Sequence, residues 1–426
     1  MAIPSAALVL AARPRAATST AAVVAPLPGC PYAGAFVRRG VRTIAVTLAS
    51  RLRPLDLPAD AASPYAGTVE HRGSLRPTVK ALRAAGVTAV LPGSAAGIEL
   101  AERISWHLGL PAGDPEVSAL RYDRGAQATA LERAGVPAAR TIRSSSLAEA
   151  LRWADTERLD GYTLAPAAAG TPVPAVTCAT DFEIRAAWPA LRRATARYSG
   201  SAHLVLTEQL SPREYVINSV SRPGPDGIPE HCITDVWAES RGRDGMLDRT
   251  DLLDRYQLLP RALSMYLLRA LDVLGVVCGP VTSRVAYSEG RGPLLISALA
   301  APPTASLADE ALRAATGEDR VARALEAWLP APRTELSPVP APPRRVVRVH
   351  LQARAGDSID PWLGRIVRQL PTVVAVSDAL RASTSCPSTT GQPEIVLSST
   401  EPEAVEADYR VIRALEREGL YRVPRP

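Results

Sequence analysis

Lysine is all but missing from this sequence: Lys80 is the only one, so nearly every positive charge is a guanidinium. The five cysteines, Cys30, Cys178, Cys232, Cys278 and Cys386, lie far apart and are never spaced as CxxC. An odd, scattered set fits neither a disulfide framework nor a zinc site, and its default setting is a reducing cytoplasm. The five histidines, His71, His107, His203, His231 and His350, lack metal-ligand spacing. No stretch approaches the ~20 apolar residues of a membrane helix. Basic runs of about five or six residues are also absent, and the formal net charge of +6 is interleaved with acids, which argues against a nucleic-acid arm. No GxSxG phrase marks a nucleophile elbow.

What is there describes a folded protein. A chain of 426 residues with 46% hydrophobic and 22% charged content can bury two or three cores of ordinary size. Residues 1–20 carry a short apolar stretch followed by Arg13 and Arg15, without a basic n-region, and are expected to form a flexible extension.

From 21 to about 115 the pattern alternates between strand, glycine loop and helix. Strands are expected at 22–25, 41–48 and 87–91, with a Pro/Gly-rich loop through Gly29 and Gly34 and helices at 79–85 and 98–108. That order predicts a small parallel α/β domain. From 116 to 305 the elements mix without βαβ regularity, which predicts α+β. Helices are expected at 123–134, 147–154, 181–196 and 258–274. Strands are expected at 162–164, 203–207, 214–219, 232–237, 281–287 and 294–296. A helix and a Pro-rich linker fill 306–343, with Pro330, Pro332, Pro338, Pro340, Pro342 and Pro343. A small C-terminal lobe, 344–426, holds strands at 346–351 and 394–397 and a helix at 402–418.

Several phrases, in this order, resemble the ATP-grasp superfamily in its carboxylate–amine ligase branch. They are Gly93-Ser94-Ala95-Ala96-Gly97-Ile98-Glu99, Leu108-Gly109-Leu110-Pro111, Arg121-Tyr122-Asp123-Arg124 and Ala134-Gly135-Val136-Pro137. Further along stand Thr207-Glu208-Gln209-Leu210 with Glu214-Tyr215, Thr234-Asp235-Val236-Trp237 and Gly275-Val276-Val277-Cys278-Gly279-Pro280. The tail matches through Glu406-Ala407-Asp408-Tyr409 and Leu415-Glu416. The resemblance implies an N-terminal α/β domain, a central pair of ATP-grasp subdomains and a C-terminal α+β lobe.

Such ligases phosphorylate a carboxylate and let an amine displace the phosphate, which calls for cations on the phosphates and carboxylates on Mg²⁺. By the resemblance, the first phosphate-binding lysine falls at Arg124, and the second at Ala165. The glycine-rich lid is reduced to Gly170 between Ala167-Ala168-Ala169 and Thr171-Pro172-Val173-Pro174, where two prolines remove backbone donors. The metal-binding Glu positions hold Arg284 and Ser297, and the substrate anchor falls at Ala301. Thr207, Glu208, Leu210 and Glu214 are the implied remnant of an adenosine pocket, with Arg241 as a further phosphate cation.

Glu208 and Glu214 can equally pair with arginines, and Arg284 is expected to pair with one of them in place of the lost metal charge. The resulting expectation is an ATP-grasp-fold protein without Mg-ATP chemistry and without a bound cofactor. It would act by binding in the cytoplasm, as a subunit, a scaffold, a homodimer, or the holder of an adenosine-containing ligand. Its partner would be an active ligase or another biosynthetic enzyme, by analogy in specialised metabolism. Nucleic acid and membrane are not expected partners. The alternative is a working ligase using ATP and Mg²⁺, with Asp235 and Glu239 as replacement metal ligands beside Ser297. A third reading is an ATP-independent enzyme in the old cleft.

Overall fold

The computed structural model describes residues 8–10, 19–49, 64–210, 213–242, 245–302, 306–329, 344–354, 356–382 and 392–422. The Pro-rich linker from Pro330 to Pro343 and Cys386 lie outside them, as does most of the expected N-terminal extension. One piece of that extension, Leu8–Leu10, is instead an edge strand paired antiparallel with Gly67–His71.

The N-terminal unit is a sheet in the order Leu8–Leu10, Gly67–His71, Arg42–Leu48, Thr20–Val24, Val87–Pro92, parallel apart from the first strand. All five residues of Thr20–Val24 are buried because helices cover both faces. Ala21 and Val23 pack with Tyr32 and Phe36, while Ala22 and Val24 pack with Leu82 and Ile104. The loop expected through Gly29 and Gly34 contains the helix Tyr32–Arg38. Burial of Tyr32 and Phe36 outweighs the low helix propensity of Gly34 within it.

Two antiparallel sheets form the middle. The smaller runs Thr141–Ser144, Leu204–Glu208, Tyr162–Pro166, Val176–Cys178 under the helices Leu147–Glu157 and Asp181–Ser199. The larger has eight strands, in the order Gly292–Leu299, Gly279–Ser288, Glu214–Pro223, Pro229–Arg241, Leu247–Leu252, Arg345–His350, Glu394–Ser399, Val373–Val376. The C-terminal strands Arg345–His350, Glu394–Ser399 and Val373–Val376 thus extend the central sheet, while Ser358–Ile359 and Tyr421–Arg422 pair as a separate two-stranded sheet.

Strand alternation splits the large sheet by face. Tyr215, Ile217, Val236, Val281 and Val285 pack under the helix Leu258–Val273. The opposite face presents Glu214, Asn218, Asp235, Glu239, Thr282, Arg284 and Ser297. Among the described residues no helix is long and apolar enough to cross a membrane.

Candidate functional site: an arginine between two glutamates

Glu214 and Glu239 are directly opposed in the antiparallel register of neighbouring strands. Arg284, on the far side of Glu214's strand and opposite Val216 and Ser297, reaches both. Its Nη2 bonds Glu214 Oε2 and, at 2.5 Å, Glu239 Oε2, while Nη1 donates to Glu239 Oε1 at 3.3 Å. Arg241 Nη2 stands 3.7 Å from a carboxylate oxygen of each glutamate. Two cations and two anions therefore close a neutral quartet. Burial works against the charge on Glu214, but Arg284 and Arg241 outweigh it and hold the carboxyl below its ordinary value. Burial likewise opposes the Arg284 charge, and the two glutamates more than restore it.

Asp235, one of the two candidate metal ligands, is turned into a buried hydrogen-bond network. Its Oδ1 accepts from Asn218 Nδ2 at 2.6 Å and Trp237 Nε1 at 2.5 Å, and its Oδ2 accepts from Thr234 Oγ1 at 2.8 Å. Thr282 Oγ1 donates to Asn218 Oδ1 at 2.9 Å, which extends the network across three strands. The other candidate, Glu239, is committed to Arg284. Ser297 is buried opposite Arg284, and Ala301 is buried too. Among the described residues no three His, Cys, Asp or Glu side chains gather as a metal cluster.

Arg124 opens the helix Arg124–Arg133, after the capping carboxylate of Asp123. Its Nη1 donates to the carbonyls of Pro166, at 2.5 Å, and Ala168, at 3.4 Å. Burial and then the nearby Arg284 push this guanidinium down to about 10. The acid beside it, Asp123, is bound to Arg143 at 2.8 Å. Ala165 packs with Ala167 and Val205 in a small apolar cluster. The shortened loop is laid into the cleft: Ala167, Ala169 and Val173 are buried, and a Cβ built on Gly170 would stand 2.8 Å from Leu299 Cδ2 and 3.2 Å from Ala95 Cβ.

No protein-family model and no curated protein matches the sequence. Solved structures do match across nearly the whole chain. An L-amino acid ligase from Bacillus licheniformis is 15% identical, with a TM-score of 0.66 over 93% of this chain and 97% of its own. A carboxyaminoimidazole ribonucleotide synthase from Aspergillus clavatus, solved with ATP, is 11% identical, with a TM-score of 0.65 over 94% and 99%. The biotin carboxylase domain dimer of the Hydrogenobacter thermophilus 2-oxoglutarate carboxylase, solved with MgADP, ADP and bicarbonate, is 15% identical, with a TM-score of 0.61 over 95% and 90%. The fold is that of the ATP-grasp ligases.

In this ATP-grasp fold the expected adenosine remnant splits in two. Glu214 belongs to the quartet. Glu208 is buried and clasped: Arg140 donates to it from its backbone N–H at 2.8 Å and from Nε and Nη2 at 3.2 Å. Arg291 Nη1 donates to both its oxygens at 2.8 Å, and Arg291 Nη2 reaches Ala138 O at 3.0 Å. Glu208 thereby ties the small sheet to the turn between Gly279–Ser288 and Gly292–Leu299. Thr207 Oγ1 lies 3.2 Å from Thr141 Oγ1, and Leu210 is half-buried.

Neither Arg140 nor Arg291 was picked out in the sequence. Arg291 stands in a turn and Arg140 directly precedes the strand Thr141–Ser144, and nothing local distinguishes them from the other arginines. Asn218 had a weak signal, a lone amide in an apolar strand.

Proposed function

We propose that this protein uses the ATP-grasp fold for binding and no longer transfers a phosphoryl group from magnesium ATP. The observation that carries the reading is Arg284, whose guanidinium occupies the space between Glu214 and Glu239 and engages both carboxylates. A divalent ion in that space would have to displace a cation already neutralised by two charged partners, so the residues present do not fit Mg²⁺. Alanine at 165 and the packed loop around Gly170 support the same reading, because neither offers a charge to a γ-phosphate.

In the cleft Arg124 has no carboxylate partner among the described residues, so the ligand this reading favours is an anion held without metal, such as an adenosine-containing phosphate ester. The role would be that of a subunit or scaffold beside an active ligase or another biosynthetic enzyme, in the cytoplasm. Homodimerisation is proposed by analogy with the biotin carboxylase domain dimer. Thermal unfolding with ATP, ATP plus Mg²⁺, ADP and adenosine tests this. A ligand binding only the folded state adds about 2.7 kcal/mol at a hundredfold over its Kd. The expected result is that any nucleotide shift is unchanged by Mg²⁺.

One observation favours a second reading, an ATP-dependent carboxylate–amine ligase. Glu214 and Glu239 are two carboxylates side by side, kept from a metal by one side chain that is a third exposed. A thermal shift that requires Mg²⁺ together with ATP would replace the first reading with this one.

A further inference from the structure

Away from the cleft, a cavity of about 220 Å³ lies between the helix Tyr32–Arg38 of the N-terminal unit and the helices Asp309–Thr316 and Arg320–Glu326. Four arginines line it, Arg38, Arg39, Arg313 and Arg320, against two aspartates, Asp309 and Asp319. The aspartates are already engaged: Asp309 pairs with Arg320, and Asp319 with Arg313 at 2.9 Å. Arg38 and Arg39, exposed at the rim, have no carboxylate partner among the described residues. The cavity thus carries two uncompensated cations.

Its floor is also incompletely bonded. Arg320 has only 12% of its side chain exposed, and its buried Nε has no hydrogen-bond acceptor among the described residues. A buried polar group left unpaired costs about 1–3 kcal/mol. Such a group on a residue that lines a cavity with surplus positive charge marks a place where an acceptor-rich anion would improve the bonding.

We propose that this cavity is a binding site for a phosphate-class oxyanion, either free phosphate or the phosphate of a small monoester. Arginine suits it because its planar donors match oxyanion geometry in pairs. At about 30 Å³ per water, the space admits a tetrahedral anion with a short ester arm. The cavity shares Arg320 with a smaller space lined by Asn218, Thr234 and Thr282, and the proposal stands whether or not the cleft binds nucleotide.

Isothermal titration calorimetry of the full chain, with inorganic phosphate in one arm and glycerol 3-phosphate in the other, tests it at constant ionic strength. Saturable binding is expected, about tenfold weaker in R320M and in the surface double variant R38S/R39S. Tighter binding of the ester identifies a monoester as the ligand, and equal binding identifies free phosphate. No binding by the unmodified protein, or binding unchanged in R38S/R39S, overturns the proposal. The double variant keeps the test decisive should R320M not fold.

Discussion

Glu214 stands directly opposite Glu239 across two neighbouring strands, and Arg284 binds both carboxylates at once. Like charges facing each other in a ladder are destabilising, so the pair needs a cation between them. An Mg²⁺ could meet that need, and here a covalently tethered guanidinium does so. The consequence is that the folded state carries its own counter-charge between these two carboxylates.

Arg284→Met should therefore leave two opposed acids with Arg241, at 3.7 Å, as their remaining ion-pair partner among the described residues. Breaking a buried pair costs about 3–5 kcal/mol, and because Arg284 is 33% exposed the lower end is expected. Urea denaturation checks the size. In Arg284→Glu the loss should be partly reversed by millimolar Mg²⁺ or Mn²⁺, an effect absent from the unmodified protein.

Glu208→Gln should weaken the clasp made by Arg140 and Arg291, which both rely on its charge. Loss of charge-assisted bonds to a buried acceptor is worth about 1–3 kcal/mol. Hydrogen exchange should rise at the amides of residues 138–144 and 289–292, while the helix Pro402–Arg417 stays protected.

Gly170→Val should disturb the loop in the cleft, because φ is +76° there and the new Cβ would meet Leu299 at 2.8 Å. A strained left-handed residue costs about 1–3 kcal/mol before the clash is counted. Limited proteolysis should then cut near Thr171 faster than in the unmodified protein. Equal resistance would show that the loop does not depend on the close approach to Leu299.

His350 predicts a pH dependence. It is buried with Nε2 3.0 Å from Thr250 Oγ1, and burial is the main cause of a pKa lowered to about 4, in surroundings that include Glu394, Arg348, Arg413 and Asp248. The unfolded chain takes up its proton near 6.5, whereas the folded chain stays neutral down to about 4. Stability should therefore fall as the pH drops between those values, by on the order of 3 kcal/mol in all. His350→Gln should flatten that window in equilibrium unfolding. The Glu214 contribution has the usual acidic form, complete above the ordinary carboxylate value and lost as the pH falls through the lowered one.

Much of the architecture was legible because it rests on local pattern. The apolar runs at 20–24 and 42–48, the helix Ile98–Leu108 and the long helix Leu258–Val273 stand out by period alone. The strand Leu247–Leu252 did not stand out, because its centre reads Asp-Arg-Thr-Asp. Its charges are satisfied partly within the strand, where Arg249 pairs with Asp251 at 2.7 Å, and partly by distant partners: Arg249 by Glu406, Asp251 by Arg345, and Asp248 by Arg413. The helix Tyr32–Arg38 was hidden by Gly34 for a similar reason, since its stabilisation comes from packing on other elements.

By itself the sequence determined that one lysine must serve the whole chain and that a parallel α/β unit precedes a mixed sheet. These are matters of residue identity and period, which need no neighbours. Only the tertiary structure decided where each carboxylate went: Glu214 and Glu239 to Arg284, Glu208 to Arg140 and Arg291, and Asp235 to Asn218, Thr234 and Trp237. A charged side chain reaches several ångströms in any direction, and its partner is chosen by strand register and fold.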